Sequence, residues 1–134
     1  MRARIQGKVL VVCTLTLASV VAQRAHAQTY LSATIDDRGA LRLSRRNAPD
    51  LTPPREPEQT GFRMPRVADG GRAAGWLLEF DGPGASDRVA TKLVVYSTGR
   101  VRTFTGVGLP IWRWDFRAGG RQVAFEQSAV RGGR

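Results

Sequence analysis

Between Ala73 and Gln127 apolar residues recur at every second position in short runs, and most of these runs end at a glycine-containing turn. Alternation of that kind lines one face of an extended strand and cannot make the stripe of a 3.6-residue helix. Trp76, Leu78 and Phe80 alternate with Leu77 and Glu79. In 92–97, Leu93 and Val95 share one face while Val94 and Tyr96 share the other. Ser97-Thr98-Gly99-Arg100 then turns the chain into a return strand over 101–105, a hairpin. The run 111–116 sets Trp112, Trp114 and Phe116 on one side against Arg113 and Asp115, a row expected to be core. After Arg117-Ala118-Gly119-Gly120, the strand 122–127 directs Val123 and Phe125 inward. No window of helical length carries a 3.6-residue period. The chain is therefore expected to be all-β, a small antiparallel domain of about six or seven short strands.

Two further strands, 30–35 and 40–43, flank Asp36-Asp37-Arg38-Gly39. That tetrapeptide is turn chemistry: aspartate accepts from nearby backbone N–H groups, and glycine supplies a positive φ. The stretch 45–65 holds Pro49, Pro53, Pro54, Pro57 and Pro65 and few apolar residues beyond Leu51 and Phe62. Proline removes a donor and fixes φ, so this stretch is expected to be a linker or extended loop. The expected organisation is a leader over 1–27, a hairpin over 28–44, the linker over 45–65 and a β domain over 66–134.

The leader has three physically distinct parts. Arg2, Arg4 and Lys8 give a positive start, residues 9–22 form an apolar stretch, and Ala25-His26-Ala27 offers small residues where a signal peptidase reads them. Cleavage would leave Gln28 first, in the periplasm or outside the cell. Retention as an anchor is the rival reading, but crossing a membrane takes about 20 apolar residues. A lipoprotein reading through Cys13 fits poorly, because bulky Val12 precedes it.

Removal of the leader changes the charge. The full chain carries +10; residues 1–27 hold Arg2, Arg4, Lys8, Arg24 and no acid, which leaves +6. The only Cys and the only His depart with it, and Lys92 becomes the one lysine among sixteen arginines. Arg42, Arg45 and Arg46 cluster, as do Arg100 with Arg102, and Arg113 with Arg117 and Arg121. Aromatic residues among them suit single-stranded nucleic acid in principle. An exported protein rarely meets nucleic acid, so none is expected; weak attraction to anionic envelope surfaces fits the charge.

Two stretches resemble each other. Residues 67–76 align without gaps on 116–125, with Gly-Gly-Arg identical at 70–72 and 119–121. The offset of 49 residues is close to the period of propeller blades. The order Ser97-Thr98-Gly99-Arg100, Phe104-Thr105, Pro110, Trp112/Trp114, Gly120-Arg121, Val123-Ala124-Phe125 resembles the TolB-type (WD-repeat-like) β-propeller repeat. In that repeat a T-G-K turn and an L-T strand end precede P-x-W-S-P-D-G-K-x-I-A-F. The resemblance spans roughly residues 65–127, with Pro65, Asp69, Gly70 and Arg72 as a degenerate second copy. It departs where Asp115-Phe116-Arg117-Ala118-Gly119 replaces Ser-Pro-Asp, and where Val67 stands for Trp. Residues 65–127 supply at most one and a half blades, whereas a propeller usually closes with four or more. The resemblance implies a domain like one blade with flanking strands, acting as a docking platform for another envelope protein.

The mature chain lacks imidazole and thiol, so a Ser–His–Asp triad, a cysteine nucleophile and the common zinc ligands are excluded. Carboxylates remain: Asp36 and Asp37, Glu79 and Asp81, and Asp87 across a glycine-rich loop. Their spacing suits turns and strand ends better than a glycosidase pair or a calcium loop. No catalytic residue, metal or cofactor is expected. The expected binding residues are Trp112, Trp114, Phe104 and Arg113. The alternative is a small periplasmic ligand-binding protein or a carboxylate-based hydrolase.

Overall fold

The computed structural model describes residues 9–14, 29–84 and 86–129. Ten strands are present among them: β1 (Val9–Thr14), β2 (Tyr30–Ile35), β3 (Leu41–Arg45), β4 (Ala48–Leu51), β5 (Gln59–Val67), β6 (Ala73–Asp81), β7 (Arg88–Ser97), β8 (Arg100–Phe104), β9 (Ile111–Arg117) and β10 (Gln122–Gln127). The chain is all-β, and every pairing is antiparallel. Three sheets form, in the orders β5-β6-β7-β8, β2-β3-β4 and β1-β10-β9. The expected cleavage site at Ala25-His26-Ala27 lies outside the described residues.

The four-stranded sheet carries a core on each face. On one face Ala73, Leu77, Leu93 and Val95 pack with Ile111, Trp114, Val123 and Phe125 of the β9–β10 sheet. On the other, Ala74, Trp76, Leu78 and Val94 pack with Tyr30, Leu41 and Leu43 of the β2–β3 sheet. Period-2 alternation in β6 thus serves two cores, and Ala73 through Leu78 are all buried. Trp76 meets Tyr96 edge-on at 4.8 Å, an arrangement that aromatic quadrupoles favour.

The turns follow their chemistry. Asp36 Oδ1 accepts from the N–H groups of Arg38 and Ala40, each at 2.9 Å, while Gly39 takes φ 75°. Between β7 and β8, Thr98 and Gly99 both have positive φ (42° and 71°), which matches the right-handed twist of a two-residue hairpin.

The proline-rich stretch is not a linker as expected: it contains β4 and most of β5. Both strands place proline where a missing donor costs little. Pro49 lies in β4, which pairs only with β3, and its carbonyl accepts from Arg45 Nε and Nη2 at 2.9 and 2.6 Å. Pro65 falls in a register shift between Arg63 and Arg66, next to Met64 at φ 49°. These strands and β1 raise the number above the six or seven expected. Lys92 Nζ ties the stretch down through Glu56 Oε2 at 2.5 Å.

The aligned stretches adopt one turn. Asp69–Gly71 and Ala118–Gly120 are both 3-10 turns between antiparallel strands. Gly70 (φ 79°, ψ 0°) corresponds to Gly119 (φ 63°, ψ 34°), and Arg72 and Arg121 both return to right-handed helical angles. The two turns also touch, because a Cβ on Gly120 would lie 2.6 Å from that of Ala68.

Candidate functional site

The expected binding residues Trp112, Arg113 and Trp114 lie on β9 and Phe104 on β8. Ile111 pairs with Gln127 and Arg113 with Glu126, so Trp112 is an extra residue with no opposite number on β10. A bulge of this kind shifts the parity of the strand. Trp112 therefore leaves the inward row in which alternation put it, and is 39% exposed. The expectation that Trp112, Trp114 and Phe116 form one buried row is corrected at that residue.

The four candidates separate into two groups. Trp112 donates from Nε1 to the carbonyl of Ser128 at 3.3 Å, which holds the indole across the end of β10. Its neighbour Arg113 lies 3.4 Å from Glu126 on an exposed face. Trp114, only 2% exposed, is core. It meets Phe116 edge-on at 5.0 Å and donates from Nε1 to the carbonyl of Met64 at 3.0 Å. Phe104 packs against the same cluster. Trp114 and Phe104 thus support the surface rather than form it.

Sequence reasoning missed Val107, 62% exposed, on the loop that leads into β9. Gln127, 1% exposed, fixes that loop. Its amide donates to the carbonyls of Thr105 and Leu109 at 3.0 and 2.7 Å, and its oxygen accepts from Val107 N–H at 3.1 Å. A buried glutamine in a strand otherwise patterned Val-x-Phe-x was the available signal.

Beside this surface lie two adjoining depressions that share Arg66 and Asp115. One, of about 460 Å³, runs between the two 3-10 turns past Asp69, Phe116 and Gly120. The other, of about 360 Å³, passes Arg113, Arg117 and Glu126.

Remaining carboxylates and arginines are dispersed. Glu79 faces Arg63 at 3.9 Å, while Asp81 and Asp87 are exposed near the β6–β7 connection. Asp115 Oδ1 accepts from the N–H of Phe116 at 2.8 Å. Arg42 lies 3.8 Å from Asp36 and 4.0 Å from Asp50 on the β2–β4 sheet, far in topology from Arg113 and Arg117 on β9. Among the described residues no group of three His, Cys, Asp or Glu is placed to hold a metal ion, and no helix is long and apolar enough to cross a membrane. No protein-family model matches the chain, nor does any curated protein or solved structure.

Proposed function

We propose that the chain is an exported, non-enzymatic β domain of the bacterial envelope that docks on another protein through the Trp112–Arg113 surface. The observation that carries this reading is the β9 bulge. It turns a tryptophan outward and keeps it there with an indole hydrogen bond, beside an arginine on an exposed face. Tryptophan and arginine are the residues most enriched at interface hot spots. The leader supports export, and the resemblance to TolB-type repeats supports docking as the class of activity. A net charge of +6 after processing adds weak attraction to anionic envelope surfaces.

The test is affinity capture from an envelope extract with the tagged chain, wild type against Trp112→Ala. Recovery of a specific partner should fall at least tenfold in the variant, which should still unfold cooperatively and keep its β-sheet circular dichroism. A partner recovered equally by both forms, or no enrichment over a tag-only control, refutes the reading.

The cleft that runs past Arg66, Asp69 and Asp115 favours a second reading, a small periplasmic ligand-binding protein or carboxylate hydrolase. Its volume of about 460 Å³ lies in the range of small-molecule sites. Loss of a measured ligand affinity in Asp115→Asn, with Trp112→Ala unaffected, would favour that second reading.

A further inference from the structure

β10 is paired on both sides: β9 along one edge and β1 along the other. The β1 register is unbroken, from Val9 opposite Gln127 to Thr14 opposite Gln122. Val11 lies opposite Phe125 and Cys13 opposite Val123, and both pack on the cluster that includes Ile111 and Trp114. β1 therefore completes one of the two cores, yet it lies inside the segment read as a cleavable leader.

Cleavage after Ala27 would remove β1 and leave a six-residue edge. Its outward N–H and C=O groups would then lack partners, and the cluster that holds Val123 and Phe125 would lose the packing of Val11 and Cys13. Native edges are usually blunted by proline, lysine or inward charge. β10 has none of these: its one charge, Glu126, lies 3.4 Å from Arg113. Such an edge is a template for strand addition, in which main-chain bonds supply affinity and alternate side chains supply specificity.

We propose that removal of residues 1–27 turns β10 into an acceptor edge, and that the docking partner supplies the missing strand. That strand is an extended segment with aliphatic side chains at alternate positions, paired antiparallel where Val9–Thr14 lies. The proposal rests on the exported docking reading and gives it a mode of recognition. Leader and partner strand compete for one edge, so the chain accepts its partner only after processing.

The test begins with the full chain, tagged at its C-terminus, expressed in a bacterium and recovered from the envelope fraction. Intact mass gives its N-terminus. A chain that keeps residues 9–14 refutes the cleaved-leader reading and this proposal together. For a chain that begins at Gln28, hydrogen exchange of 122–127 is followed with a synthetic peptide of residues 9–14, lysine-flanked for solubility and with alanine for Cys13. The outward β10 amides, those not already paired with β9, should slow at least tenfold at saturation with one peptide per chain. A peptide with aspartate at the Val11 and Cys13 positions should have no effect.

Three results overturn the proposal and leave export intact: no slowing, equal slowing by the aspartate peptide, or full protection without any peptide through pairing of two copies. The uncleaved chain made in the cytoplasm provides a second arm. There Val11→Asp with Cys13→Asp should release the β10 amides, and the unmodified peptide should restore them. Protection of β6 and β7 reports whether the remainder has folded. Failure of the peptide to restore β10 while β6 and β7 stay protected also overturns the proposal.

Discussion

Replacing Gly75 by alanine tests how the sheets are joined. Gly75 is the third residue of β6, and a Cβ there would lie 2.7 Å from Trp114 Cη2, 3.3 Å from Cζ3 and 3.1 Å from the carbonyl oxygen of Val94. The carbonyl belongs to a paired strand and cannot retreat. The ring is held by its bond to the Met64 carbonyl at 3.0 Å. Overpacking of this kind costs about 1–3 kcal/mol, and loss of the indole bond about 1 kcal/mol more. Against this, Gly→Ala lowers unfolded-chain entropy and returns about 0.4–1 kcal/mol. The steric effect wins, with a net destabilisation of about 1–3 kcal/mol and a fall in Tm of roughly 5–20 °C for a domain of this size. Urea unfolding of Gly75→Ala measures it. Combining it with Trp114→Phe, which removes the clashing atoms, should give a double-mutant loss at least about 1 kcal/mol smaller than the sum of the singles. Wild-type stability in Gly75→Ala, or additivity in the pair, refutes the knob-and-notch account of this interface.

Gln127→Leu fills a similar volume but ends three hydrogen bonds to the 105–109 loop. Stability should fall by about 2–4 kcal/mol, with faster proteolysis near Val107; a loop as resistant as wild type would refute the role assigned to Gln127. Thr60 Oγ1 is buried without a partner, so Thr60→Val should be neutral or stabilising by up to about 1 kcal/mol in the same unfolding assay. The Asp36 carboxyl is held below its ordinary value of 3.8, first by the N–H of Ala40 and further by that of Arg38. Its contribution is therefore present above that pH and lost as pH falls below it. The stability difference between wild type and Asp36→Ala should shrink in acid, and a difference constant from pH 6 to pH 2 would contradict this. Burial pushes the Tyr30 hydroxyl above 10.0, so its contribution holds below pH 10 and is lost as pH rises past it; Tyr30→Phe should flatten the alkaline limb of a pH–stability curve.

Much of the fold was legible because strands and tight turns are local. Alternation from Ala73 to Gln127, Asp36–Gly39 and Thr98-Gly99 are each decided by neighbours within a few residues. The likeness between 67–76 and 116–125 also corresponds to one repeated turn geometry. The proline-rich stretch misled, because proline excludes a central strand yet suits the edge and the bulge where Pro49 and Pro65 lie. The candidate site was legible only as a group of residue types. Parity put Trp112 with Trp114 and Phe116, and nothing local reveals that β10 offers one residue fewer at that point.

The amino-acid sequence by itself determined an all-β chain, its turns, and the absence of His and Cys after residue 27. These are properties of composition and of neighbours along the chain. Tertiary structure alone decided that β6 feeds two cores, that Gly75 makes room for Trp114, and that a bulge turns Trp112 outward. It also decided that Val9–Thr14 pairs with β10. Each of these depends on register between strands distant in the chain, where a shift of one residue reverses which face a side chain takes.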